Sequence, residues 1–136
     1  MASFRFTKTQ GAGNDFLIVE GPLDLLPTPQ AKQRFCDRHY GAGGDGVIFV
    51  SRAGNAAGVN ASLRIFNSDG GEAEISGNGT RCAAAYLLSA ADRENDLTVQ
   101  TVAGVKKLKF VVRQGNEYRF DMHMGKPILD APTIPF

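Results

Sequence analysis

Asn67-Ser68-Asp69-Gly70-Gly71-Glu72-Ala73-Glu74-Ile75-Ser76-Gly77-Asn78-Gly79-Thr80-Arg81-Cys82 is the stretch on which the fold turns. Before it, Val59, Ala61, Leu63 and Ile65 alternate with Asn60, Ser62 and Arg64, the period of a strand with one buried face. After it, Cys82-Ala83-Ala84-Ala85-Tyr86-Leu87-Leu88 leaves almost no polar stripe. A helix that is apolar nearly all round is enclosed by other elements. The stretch thus carries the chain from a strand, through a loop, into a helix predicted from Asn78 to about Ala91. Its small alanines let strands approach closely. The expected fold is α+β, a mostly antiparallel curved sheet or barrel wrapped around one central buried helix.

The end of the loop, Ser76-Gly77-Asn78-Gly79, feeds the helix N-terminus. Unpaired backbone N–H groups and the positive end of the helix dipole point into it. A carboxylate or a developing anion is stabilised in such a place. Gly77 and Gly79 permit close backbone approach, and Asn78 is a suitable cap. An ordinary capped helix start has the same appearance, so this geometry alone does not separate a site from a cap.

Upstream, Phe4 to Thr9 reads as a strand, Gly11 to Asn14 as its turn and Phe16 to Glu20 as its partner. Thr28-Pro29 reads as an N-cap followed by proline at the first helical position, opening a helix to about Arg38 with Cys36 in the core. Gly41-Ala42-Gly43-Gly44-Asp45-Gly46 satisfies G-x-G-x-x-G literally. A dinucleotide site needs a strand before the glycines and a helix after them. Here the order is reversed, with a helix before and the apolar run Val47-Ile48-Phe49-Val50 after.

Downstream, strands are predicted over Leu97 to Val102 and Val105 to Arg113. In the second, Leu108, Phe110 and Val112 face inward and Lys107, Lys109 and Arg113 outward. Gln114-Gly115-Asn116 turns the chain into a last strand with Tyr118, Phe120, Met122 and Met124 on one face and His123 on the polar face. His39 is placed to cap the preceding helix. Pro127, Pro132 and Pro135 give the last ten residues an extended, linker-like composition.

At 136 residues the chain suffices for one compact domain. Its net charge of +1 gives no electrostatic case for nucleic acid or an anionic membrane. No apolar run has transmembrane length and the N-terminus is not a signal peptide, so a cytoplasmic location is expected. Cys36 and Cys82 read as buried thiols rather than a disulfide. Their spacing to His39 and His123 makes no zinc pattern, and no metal is expected.

The central stretch resembles the signature of the diaminopimelate epimerase family, N-x-D-G-S-E-x-x-x-C-G-N-G-x-R-C. Gly11-Ala12-Gly13-Asn14-Asp15-Phe16, Arg38 through Gly46, and Met124-Gly125 through Phe136 resemble further family segments in the right order, so the resemblance covers nearly the whole chain. It implies two similar halves, each a sheet around a central helix, with the active site between them. Residues 1–125 would be the N-terminal half and 126–136 the start of the crossover, the C-terminal half being absent. The activity implied is epimerisation of LL- to meso-diaminopimelate, in lysine and peptidoglycan biosynthesis, without pyridoxal phosphate or any other cofactor. The family uses two cysteines, one from each half, as base and acid on opposite faces of the α-carbon.

Carried onto this chain, the resemblance makes Gly77 and Asn78 the cradle for the substrate carboxylate. Asn14 and Asn67 match substrate-binding asparagines, although both also suit a turn-stabilising role. Gly46 lies where some members contact substrate through a side chain. Ser76 occupies the position of the catalytic cysteine, and an alcohol is a far weaker acid than a thiol. Cys82 matches a non-catalytic cysteine. Arg81 either helps hold a carboxylate or faces Glu72 or Glu74, and Asp69, Glu72 and Glu74 read as turn or solvated residues. The implied partners are a small amino-acid substrate, the C-terminal half, and, for the chain alone, a second copy in a homodimer. Two other readings stay open: a stand-alone binding or assembly domain without catalysis, and a racemase or isomerase of another small amino acid.

Overall fold

The computed structural model describes residues 4–52, 58–74 and 76–122. Eight strands and two helices follow one another as β1 (Thr7–Gly11), β2 (Asn14–Glu20), α1 (Pro29–Cys36), β3 (Gly46–Ser51), β4 (Ala61–Asn67), β5 (Glu72–Ala73), α2 (Gly77–Ala91), β6 (Leu97–Thr101), β7 (Gly104–Gln114) and β8 (Glu117–Met122). The strands form one sheet in the order β1-β2-β3-β4-β6-β7-β8, with β5 paired to β4. Five pairings are antiparallel; β2–β3 and β4–β6 are parallel. Parallel neighbours need a crossover, and each pair has one: α1 links β2 to β3, and α2 lies between β4 and β6.

The sheet curls so that α2 touches β1, β2, β3, β4 and β8, reaching both edge strands. Ala83 and Ala84 have no exposed surface, and Leu87 and Leu88 are buried with Ile18, Ile48, Leu63, Val99 and Leu108 on the inner face. The expected sheet around a central helix is therefore present. The enclosure has an opening: Arg81, Ala85 and Tyr86 are half-buried, and they line a groove of about 1140 Å³ between β1 and the β7–β8 hairpin.

A second core lies on the outer face, where Leu17, Val19, Val47, Phe49 and Phe66 pack with Leu26 and Cys36. This explains the unbroken apolar runs of β2 and β3, which are buried on both faces. Lys32 is buried there too. Its Nζ donates to Leu26 O at 2.8 Å and lies 4.5 Å from the Phe66 ring centroid.

Local chemistry sets the boundaries. Thr28 caps α1 by accepting from Ala31 N–H, with Pro29 at the first helical position. The helix stops at Cys36, short of the expected Arg38, because Asp37 leaves helical geometry. The amides of Ala42, Gly43 and Gly44 then satisfy the carbonyls of Phe35 and Cys36. The glycine-rich loop is thus a helix C-terminus motif, with its amides committed to α1. His39 follows the helix end, where its backbone N–H donates to Asp37 Oδ1. Strand β1 begins at Thr7 rather than Phe4, since the Phe4 and Phe6 rings pack edge-on against Phe35. Val112 is exposed and Arg113 half-buried, the reverse of the expected pattern, because a bulge between Phe110 and Val112 exchanges the faces of β7. His123, Met124 and the proline-bearing stretch 126–136 lie outside the described residues.

Gly70 fixes the loop after β4. Its φ is +90°, and a β-carbon there would fall 2.3 Å from Pro29 O at the start of α1. Gly70→Ala should destabilise the chain by about 2–4 kcal/mol in urea unfolding. Gly115→Ala, at φ +60° with open space around it, should cost only about 1 kcal/mol. Equal costs at the two positions would contradict this account of the loop.

Candidate active site

Strand pairing brings the candidate residues to one end of the curled sheet. Asn14 opens β2, Gly46 opens the parallel β3, and Asn67 closes β4 directly opposite Gly46. Gly11, paired with Asn14, reaches the start of α2: a β-carbon on it would lie 3.1 Å from Cys82 Sγ and 3.5 Å from Asn78 O. One on Gly79 would lie 3.3 Å from Ile48 Cδ1 of β3. The first turn of α2 is therefore seated against the end of β1, where Gly11 pairs with Asn14, and against Ile48 within β3.

The helix begins at Gly77, and its cap is Ser76 rather than the expected Asn78. Ser76 is extended, with φ −145° and ψ 116°, and its Oγ accepts from Gly79 N–H at 3.0 Å. Its carbonyl accepts from the Thr80 N–H at 2.9 Å and the Thr80 hydroxyl at 2.7 Å. Asn78 lies inside the first turn, past the point where its side chain can reach forward to cap. Among the described residues the N–H groups of Gly77 and Asn78 have no acceptor, leaving two aligned donors for an anion at the positive end of the helix.

Asn14 and Asn67 are exposed. Among the described residues neither side chain has a hydrogen-bond partner; the turn after β4 is closed by the Asn67 backbone, which accepts from Gly70 N–H at 2.9 Å and donates to Gly71 O at 2.8 Å, and its side-chain bond comes from Asp69, whose Oδ1 accepts from Gly71 N–H at 2.8 Å. Both carboxamides are therefore available. Gly46 is different: it is buried, and a β-carbon would meet Phe66 O at 2.6 Å and Phe16 Cε1 at 3.2 Å. No side chain fits there without movement, so Gly46 contributes packing and backbone only. Arg81 donates from Nε to Phe120 O at 3.4 Å, and Glu72 is paired instead with Arg64, whose Nη2 lies 2.7 Å from Oε1.

Neither cysteine is poised as a base. Cys36 is buried in the outer core, and burial pushes its thiol up to about 11. Burial raises the Cys82 thiol as well, offset in part by a hydrogen bond with Thr9. The groove beside α2 includes Asn78, Arg81 and Cys82 but not Ser76, Gly77, Asn14 or Asn67; it flanks the candidate site. Among the described residues no group of three or more His, Cys, Asp or Glu side chains is arranged to hold a metal ion, and no helix is long and apolar enough to cross a membrane.

Sequence reading missed the ionic cluster at this end. Arg38 donates from Nη1 to Asp15 Oδ2 at 3.0 Å and from Nη2 to Asp15 Oδ1 at 2.8 Å, while Nη2 also reaches Asp45 Oδ1 at 3.1 Å. Hydrogen bonds from Arg38 hold the Asp15 carboxyl well below the usual carboxylate range. Asp15 and Asp45 each flank a candidate residue, but two acids and one arginine separated in sequence carry no spacing signal.

The diaminopimelate epimerase family model matches residues 6–129. The chain belongs to the diaminopimelate epimerase family. It is 38% identical over 132 residues to the diaminopimelate epimerase of Caldanaerobacter subterraneus, covering 96% of this chain and 47% of that protein. Against the chloroplastic diaminopimelate epimerase of Oryza sativa subsp. japonica it is 39% identical over 140 residues, covering 98% of this chain and 37% of the relative. The chain thus spans less than half the length of both. Among solved structures, the hydroxyproline epimerase of Agrobacterium vitis with bound trans-4-hydroxy-L-proline superposes with a TM-score of 0.61 at 18% identity, over 81% of this chain and 38% of the other. A methylitaconate-delta-isomerase gives 0.64 at 8% identity, over 85% and 36%. At such identities these two show a shared fold.

Two measurements check this site. Ser76→Ala should cost about 1 kcal/mol of stability through loss of the cap, and Ser76→Cys a comparable amount because a thiol is a weak acceptor; denaturant midpoints unchanged in both would refute the capping role. Asp15, depressed in the folded chain, contributes stability that is fully present above its unfolded value of about 4 and is lost as the pH falls toward its folded value. Asp15→Asn should therefore flatten the acid limb of the stability curve below about pH 4 and reduce stability at neutral pH.

Proposed function

We propose that this chain supplies one lobe of a pyridoxal-phosphate-independent epimerase acting on diaminopimelate, with Ser76 at the position of a catalytic base. The observation that carries the reading is the pair of amides at Gly77 and Asn78 that have no acceptor among the described residues, together with Asn14 and Asn67, whose exposed carboxamides have no partner among the described residues. An α-amino acid needs its carboxylate held by donors that strengthen as charge develops on losing the α-proton. The start of α2 supplies such donors, fixed by the cap and by the packing of Gly79 on Ile48.

Abstraction of the α-proton calls for a group titrating near neutrality on each face of the carbon. A thiol at residue 76 would meet this on one face, lowered toward neutrality by the helix N-terminus. The Ser76 hydroxyl does not, and one of its two lone pairs is already engaged by Gly79 N–H. The acid on the other face would come from a second lobe, consistent with relatives of more than twice the matched length. Residues 1–125 form the first lobe in this reading. Its location in this reading would be the cytoplasm.

That capping hydrogen bond favours a second reading, a domain that holds an amino-acid carboxylate without turning it over. The two readings part in a single experiment. The chain is combined with the C-terminal lobe of a relative and given LL-diaminopimelate in deuterated water. With Ser76, α-deuteration should be at least about a thousandfold slower than with Ser76→Cys, while Kd changes by less than about threefold. Equal deuteration rates would place the base elsewhere. Binding without restored exchange in Ser76→Cys would favour the binding domain.

A further inference from the structure

The ends of β2 and β3 are joined by a clasp that the proposed chemistry does not use. Asp15 N–H donates to Asp45 Oδ2 at 3.0 Å. Asp45 N–H donates in return to Asp15 O at 2.8 Å and to Asp15 Oδ1 at 3.1 Å. Two carboxylates so close would repel, but Arg38, at the end of α1, bonds both. Lys8 Nζ, 3.4 Å from Asp15 Oδ2, adds a second cation. The clasp therefore ties together β1, β2, the loop after α1 and the start of β3.

The exposure of two of its members keeps its share of global stability small. Arg38 is 54% exposed and Asp45 44%, and isolated surface ion pairs contribute little. Here, though, the arginine is bidentate and each aspartate also takes a backbone donor, which fixes geometry as well as charge. The residues it fixes adjoin the site: Asp15 follows Asn14, and Asp45 precedes Gly46, which pairs with Asn67. The turn it anchors also needs holding. Ala12 has φ 50° and Gly13 φ 88°, and the left-handed region disfavours a residue with a β-carbon.

We propose that Arg38 is a positioning residue, its bonds to Asp15 and Asp45 holding the Gly11–Asn14 turn in register with β3 so that the Asn14 carboxamide faces the start of α2. The substrate part of this proposal rests on the epimerase reading; the register part does not.

The test uses the 136-residue chain as wild type, Arg38→Gln, and Arg38→Gln with Asp45→Asn. Residue-resolved amide hydrogen exchange is measured on each form, along with the Kd for meso-diaminopimelate after each form is combined with the C-terminal lobe of a relative. In Arg38→Gln, exchange at Asp15 and Asp45 should rise at least about tenfold and severalfold more than at Leu87 and Leu88 in α2, and Kd should weaken about tenfold. The double variant removes the repulsion yet leaves an acceptor for Asp15 N–H, so both readouts should return to within about threefold of wild type. A merely structural arginine would raise exchange at Leu87 and Leu88 equally, or would not be rescued by Asp45→Asn; either result overturns the proposal. Unchanged exchange at Asp15 and Asp45, or equal Kd in all forms, also overturns it. If the local exchange pattern and its rescue appear but no form binds diaminopimelate, the register role is upheld and the epimerase reading fails.

Discussion

Ala83 and Ala84 have no exposed surface because α2 runs through the inside of a curled sheet, and the rest of the molecule depends on that enclosure. A helix can occupy the curl only if its side chains are small where strands come closest. Leu87 and Leu88 fill the wider space further along the helix, against Ile18, Leu63 and Leu108. Once the helix is inside, its first turn must emerge at one end of the sheet. The donors of that turn then point to the place where β2, β3 and β4 present their terminal residues.

This arrangement separates structural work from chemical work within a few residues. Gly79 and Thr80 secure the helix start, through Ile48 and the Ser76 carbonyl respectively. Gly77 and Asn78 have amides without an acceptor among the described residues. Ser76 stands between the two roles: as a cap it holds the helix, and in the proposed reading, where it occupies a base position, it withholds the thiol that proton exchange needs. A cysteine there would trade some helix stability for reactivity.

The central helix, the strand before it and the glycine turn at Gly115 were legible in the sequence because each follows from periodicity or turn chemistry. The family was legible from motif wording that covers nearly the whole chain. Less visible were features set by tertiary contact. The reversal of faces at Val112 comes from a bulge, which no local residue type announces. The cap at Ser76 was hidden by the glycines around it and by Asn78, a good capping residue two positions too late. The parallel pairings followed from helices that cross between strands, whereas alternating patterns alone suggested antiparallel neighbours. The two faces of β3 show the same limit: an apolar run signals burial, but not that a second core with Lys32 and Phe66 lies beneath α1. The clasp of Arg38, Asp15 and Asp45 joins residues whose separation is meaningful only once β2 and β3 pair.

The central claim is that the start of α2 binds a substrate carboxylate through the backbone. Amide chemical shifts of the isotopically labelled chain, followed during titration with meso-diaminopimelate, test it most directly. The account predicts the largest saturable changes at the Gly77 and Asn78 amides, with the side-chain amides of Asn14 and Asn67 moving along the same binding curve. Changes confined to the groove residues Ala85, Tyr86 and Tyr118, with Gly77 and Asn78 unmoved at saturation, would contradict it.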